Sequence, residues 1–101
     1  MPLYELDEAK DLVDRNQYNL TIRMRNGLRD HGYDEDETTK DIFDIMTLDD
    51  FYKTVSLHNL EGVQADVYTV DYDDAEWYVK FFINYDDEVS VEIWSIHWWP
   101  I

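Results

Sequence analysis

Apolar residues recur with a helical period through the first half of the chain and alternate through the second. Leu6, Ala9, Leu12 and Val13 fall on one helical stripe with acids between them, which predicts an opening amphipathic helix. Asn16 and Gln17 break that period. Thr21 supplies a cap for a second helix, along which Leu20, Met24 and Leu28 recur and Gly32 provides the stop. The run Asp34-Glu35-Asp36-Glu37 puts acids at a helix start, where the macrodipole favours them. The third helix so begun carries Ile42, Phe43, Ile45 and Met46. Thr47 and Asp50 have the spacing of a capping box, which predicts a short fourth helix carrying Phe51 and Val55.

After His58 and Asn59 the period becomes that of strands. Val63, Ala65 and Val67 alternate between Gly62 and Tyr72, and Asp73-Asp74 makes a turn. Trp77, Val79, Phe81 and Ile83 then alternate with Tyr78, Lys80 and Phe82. A second turn over Asn84 to Asp87 leads to Val89, Val91 and Ile93. The expectation is an α+β fold over residues 1–101, a single domain with its N-terminal helices packed on a three-stranded antiparallel β-meander. A bare sheet of that size is marginal, so the helices must cover one face.

Composition narrows the function classes. The chain has 101 residues and no Cys, which removes disulfides and thiolate metal sites and suits a cytoplasmic setting. No signal-peptide pattern opens it, and no apolar run is long enough to span a bilayer. Eight basic against 24 acidic residues give a net charge of −16, which repels nucleic acid and anionic membrane at long range. The stretch from Arg15 to Arg29 contains Arg15, Arg23, Arg25 and Arg29 and no acid, the obvious place for an anion to dock. A salt-rich host, mimicry of a polyanion, or a basic partner would each account for the charge, and the sequence does not separate them.

Several chemistries are missing. Three glycines cannot build a phosphate loop, and His31, His58 and His97 lack a shared metal spacing. Calcium loops beginning at Asp34 or Asp71 would need glycine where Thr39 and Glu76 stand. No cofactor is expected.

The segments Asp50-Phe51-Tyr52-Lys53, Asp66-Val67-Tyr68 and Tyr78-Val79-Lys80 resemble, in order and spacing, the landmarks of the MqsR family of mRNA interferase toxins. Lys10-Asp11-Leu12-Val13 and the Thr21 helix resemble that family's N-terminal half. The resemblance implies a RelE-like α+β fold and a metal-independent endoribonuclease, in which a 2′-hydroxyl attacks the adjacent phosphate. It also implies an RNA substrate and a cognate antitoxin protein as partners. By the same resemblance Lys53 and Tyr78 stand at catalytic positions. The family's Ser-x-Lys ending is Ser95-Ile96-His97 here, which makes His97 the third candidate. A histidine titrates near neutral pH and can act as acid or base. The family glutamine before Asp-Val-Tyr is replaced by Ala65, with Gln64 one residue earlier; one step along a strand reverses the face.

A structural reading stands beside each candidate. Lys53 also fits the solvated face of a short helix, and Tyr78 an ordinary strand position. His97, in phase with Val91, Ile93 and Ser95, also fits the rim of the core. Arg25 and Arg29, one turn apart, could grip RNA phosphates or pair with carboxylates. Gln64 is the remaining RNA-binding candidate. Trp98 and Trp99 fit base stacking or, more simply, cover for a sheet edge. The competing function is a non-catalytic acidic interaction protein binding a basic partner, with a toxin fold that has lost its chemistry as a variant of it.

Overall fold

The computed structural model describes residues 1–101. Helix α1 (Leu6–Asp14) buries Leu6, Ala9, Leu12 and Val13, the stripe predicted from periodicity. It ends where Asn16 adopts a left-handed backbone (φ 64°). That residue tolerates the conformation better than most, and it lets the Gln17 N–H reach back to the Leu12 carbonyl at 2.8 Å. Helix α2 (Ile22–Asp30) starts at Thr21, whose side chain accepts the Met24 N–H at 3.3 Å. It stops at Gly32 (φ 85°), with the Tyr33 N–H bonded to the Leu28 carbonyl. Helix α3 (Glu35–Ile45) is capped by Asp34 and buries Ile42 and Phe43, together with Thr38 and Thr39. Ile45, expected on its apolar stripe, is 45% exposed.

The sheet is larger than expected. Strands β1 (Tyr18–Leu20), β2 (Phe51–Ser56), β3 (Gln64–Tyr72), β4 (Ala75–Asn84) and β5 (Ser90–His97) lie in the order β1-β5-β4-β3-β2. The predicted meander is β3-β4-β5. Two edge strands extend it, β2 antiparallel to β3 and β1 parallel to β5, so the sheet is five-stranded and mixed. Thr47 and Asp50 do form a capping box, but it opens only a single 3-10 turn, Leu48–Asp50. The predicted fourth helix is therefore replaced by β2. The run Phe51-Tyr52-Lys53-Thr54-Val55 holds two aromatic and two β-branched residues, which suit a strand better than a helix. The Asp73-Asp74 turn has positive φ at both residues, the conformation that a two-residue hairpin requires.

All three helices pack on one face of this sheet. Tyr68 and Val70 of β3, Trp77, Val79, Phe81 and Ile83 of β4, and Val91, Ile93 and Ile96 of β5 join the helical stripes in one core cluster. A smaller cluster, Leu57, Ala65 and Phe82 with Val55, Val63 and Trp94 against it, closes one end of the opposite face. The rest of that face has no helix over it. None of the helices is long and apolar enough to cross a membrane.

Candidate functional site

Alternation decides which side chains reach the open face, and two irregularities adjust it. In β4 the core residues Trp77, Val79 and Phe81 send Tyr78, Lys80 and Phe82 to the other side. In β2 the register shifts between Phe51 and Lys53. Phe51 lies opposite Tyr68, packing ring to ring at 5.5 Å on the helix side, whereas Lys53 lies opposite Val67 on the open side. Tyr52 occupies the bulge, and the Lys53 Nζ sits 5.1 Å from the centre of its ring.

The second irregularity settles the position of His97. Phe81 pairs with Ile93 and Lys80 with Ser95, so Trp94 is an extra residue in β5. Beyond that bulge the phase reverses: Ile96 enters the core opposite Val79, and His97 pairs with Tyr78 on the open face. Counting by twos from Val91 and Ile93 places His97 at the rim of the core; the bulge overturns that placement. Helix α2 stabilises the irregularity, because the Ile96 N–H points to the Met24 sulfur at 3.3 Å.

Lys53, Tyr78 and His97 thus project from one face, on strands β2, β4 and β5. Tyr78 and His97 are direct cross-strand neighbours with ring centres 5.6 Å apart. By ordinary sheet spacing Lys53 lies one row along the strands and two strands across from Tyr78, roughly 12 Å, and three strands across from His97, roughly 16 Å. Lys80, between them, pairs with Val67 and Ser95.

The His97 ring is oriented by the chain end. Its Nδ1 lies 2.9 Å from the Trp99 carbonyl, which can only accept, so Nδ1 carries the proton and Nε2 of the neutral ring keeps a free lone pair. Burial lowers the His97 pKa below its ordinary value. The Trp99 carbonyl opposes this, and the charges of Arg23 and Lys80 lower it further. Tyr78 titrates above its ordinary value, first because of burial and then because Tyr52 faces it. At neutral pH the pair is therefore a neutral imidazole beside a protonated phenol.

Arg25 and Arg29 both meet Glu35, at 3.8 and 2.6 Å, and line a recess with Tyr18 and Asp36 on the helix side. Arg15 pairs with Asp11 at 2.9 Å. Lys10, Arg23, Lys40, Lys53 and Lys80 form no salt bridge, although the chain holds 24 acids. Gln64 starts β3 beyond Ala65, three residues from Val67 and on the opposite parity, so it does not join the other candidates. Ala65, where the family glutamine is expected, does face the open side, but it is fully buried in the small cluster with Leu57 and Phe82.

Trp99 is buried, with its ring stacked on His31 at 4.1 Å and edge-on to Trp77 at 5.9 Å. It covers α2 and the end of the core rather than a sheet edge; Trp98 remains 43% exposed. Sequence reasoning missed Arg23 and Lys80 as members of the cluster. The signal for Lys80 was its two-residue spacing from Tyr78. Arg23 carried none beyond its place in the arginine stretch. The Asp66-Val67-Tyr68 landmark is scaffold: Asp66 is fully buried and accepts the Leu3 and Tyr4 N–H groups and the Thr54 hydroxyl, while Tyr68 lies in the core.

No curated protein matches the chain. A family model, that of the motility quorum-sensing regulator, toxin of MqsA, matches residues 1–96. The match spans all five strands up to Ile96 and all three helices, so the chain belongs to the MqsR toxin family.

Proposed function

We propose that this protein is the toxin of a type II toxin-antitoxin pair and a metal-independent endoribonuclease acting on mRNA, with its active site on the open face of the sheet. The observation that carries the reading is the common facing of Lys53, Tyr78 and His97. Side chains on opposite faces would have ruled out a shared phosphate. In this reading the His97 Nε2 takes the 2′-hydroxyl proton. The 2′-oxygen bonds to phosphorus, and the bond to the 5′-oxygen breaks. Lys53 and Lys80 balance charge on the non-bridging oxygens, and the Tyr78 hydroxyl donates to the departing oxygen. Depression of the His97 pKa suits a base at neutral pH, and the carbonyl bond fixes the tautomer that such a base needs. The cognate antitoxin is the expected protein partner, and the cytoplasm the expected location.

The alternative, an acidic protein that mimics a polyanion, needs its carboxylates in one continuous stripe. Exposed acids instead occur on α1, on α3 and in both hairpin turns, a scatter that favours solvent adaptation. Analysis of the cleavage products tests the ribonuclease reading. RNA incubated with the protein in excess chelator is expected to give 2′,3′-cyclic phosphate and 5′-hydroxyl ends. Products with 5′-phosphate ends, or cleavage that needs added metal, would contradict it.

A further inference from the structure

Arg23 is the one arginine of its stretch without a carboxylate partner, and its neighbours fix where it lies. Met24, the next residue, meets the Ile96 N–H at 3.3 Å, which brings the first turn of α2 beside the last residues of β5. Gly27, four residues after Arg23 in α2, lies under the Trp99 ring, and the Trp99 carbonyl holds His97. Residues four apart share a helix face, so Arg23 lies on the Trp99 side of α2, next to His97. Arg25 and Arg29 lie on the other side and are spent on Glu35.

Unlike Arg15, Arg25 and Arg29, the exposed Arg23 guanidinium holds no carboxylate and is free to take an anion beside His97. Histidine replacing the family's terminal lysine also removes a cation from the neutral-pH site. We infer that Arg23 grips a phosphate of the RNA strand where it leaves the sheet beyond His97, and so restores the cation that His97 does not supply. The inference rests on the ribonuclease reading for its substrate. It adds a binding residue carried by a helix rather than by the sheet. A guanidinium suits the role because it offers paired donors to a phosphate and keeps its charge at every accessible pH. Its charge also acts on His97, whose pKa it lowers.

The test is binding of a 2′-O-methyl single-stranded RNA, which lacks the attacking hydroxyl, across a salt series. Arg23→Ala is expected to weaken binding about tenfold and to reduce the salt slope by about 0.7. Arg23→Lys is expected to keep the slope, and Arg25→Ala to leave both quantities near wild type. Arg23→Ala is also expected to raise the His97 pKa measured by NMR, which checks the placement of Arg23 beside His97; an unchanged pKa would contradict that placement. Wild-type affinity and slope in Arg23→Ala, or an equal loss in Arg25→Ala, would overturn the proposal. Cleavage of ordinary RNA separates the two readings. Cleavage that needs Lys53 but is unchanged in Arg23→Ala would remove only the Arg23 contact. Arg23-dependent binding by a wild type that cleaves nothing would keep the contact and remove the ribonuclease.

Discussion

Replacing Gly27 by alanine should destabilise this protein, although the same change in an ordinary helix stabilises it. A Cβ at Gly27 would lie 2.7 Å from the Trp99 Cζ2 and 3.3 Å from its Cε2. Carbon atoms pack at about 3.5–4.0 Å, so the ring would have to retreat by roughly 1 Å. It has little room to do so, being stacked on His31 at 4.1 Å and set against Trp77. Overpacking of this kind costs about 1–3 kcal/mol. Against that stands a gain of about 1 kcal/mol from helix propensity. The net expectation is a loss of about 1 kcal/mol, or roughly 4–8 °C in Tm. In a Trp99→Ala background the clash is gone, and Gly27→Ala should gain up to about 1 kcal/mol. The double-mutant cycle, followed by urea unfolding, should therefore give a coupling of about 2 kcal/mol with a change of sign. A stabilising Gly27→Ala in both backgrounds would refute the argument, and with it the view that Trp99 pins the chain end and orients His97.

Other outcomes follow from the same geometry. Asp66→Ala leaves the Leu3 and Tyr4 N–H groups and the Thr54 hydroxyl without their acceptor. A loss of about 3 kcal/mol is expected, with faster amide exchange at Leu3 and Tyr4; unchanged exchange there would count against it. The folded-state pKa of His97 lies below its unfolded value of 6.5, so the unfolded chain binds the proton more readily. Its contribution to stability is thus complete above pH 6.5 and is lost as pH falls through the folded pKa. RNA cleavage should fall over that same acidic limb, and an NMR titration placing His97 at or above 6.5 would contradict both statements. With a net charge of −16 and three salt bridges, self-repulsion should make stability rise with salt well beyond physiological strength. A Tm unchanged between low and molar salt would remove the solvent-adaptation account of the acidity.

Helices α1, α2 and α3 were legible because each carries at least one end signal that acts locally: Thr21 and Asp34 cap the starts of α2 and α3, and Asn16 and Gly32 end α1 and α2. The meander was legible from strict alternation in β4 and from the Asp73-Asp74 turn. The two edge strands were not. β1 spans only Tyr18–Leu20, too short for a period, and it exists because β5 offers an edge to pair with. β2 was hidden behind a genuine capping box that opens a single 3-10 turn. The open-face cluster was half legible. Tyr78 and Lys80 follow from alternation, but the placements of Lys53 and His97 depend on two bulges. A bulge is set by pairing between strands, so no window of sequence contains it. Arg23 illustrates the same limit. Its role follows from the carboxylate that Arg25 and Arg29 find and it does not, a difference of tertiary position between residues of one helix.

The central claim, a ribonuclease site on the open sheet face, is tested most directly by comparing wild type with Lys53→Ala on mixed-sequence single-stranded RNA in chelator, at low and at molar salt. Wild type is expected to cleave, and Lys53→Ala, folded by circular dichroism, to lose about two to four orders of magnitude in rate. No cleavage by folded wild type at either salt, or cleavage undiminished in Lys53→Ala, would contradict the account.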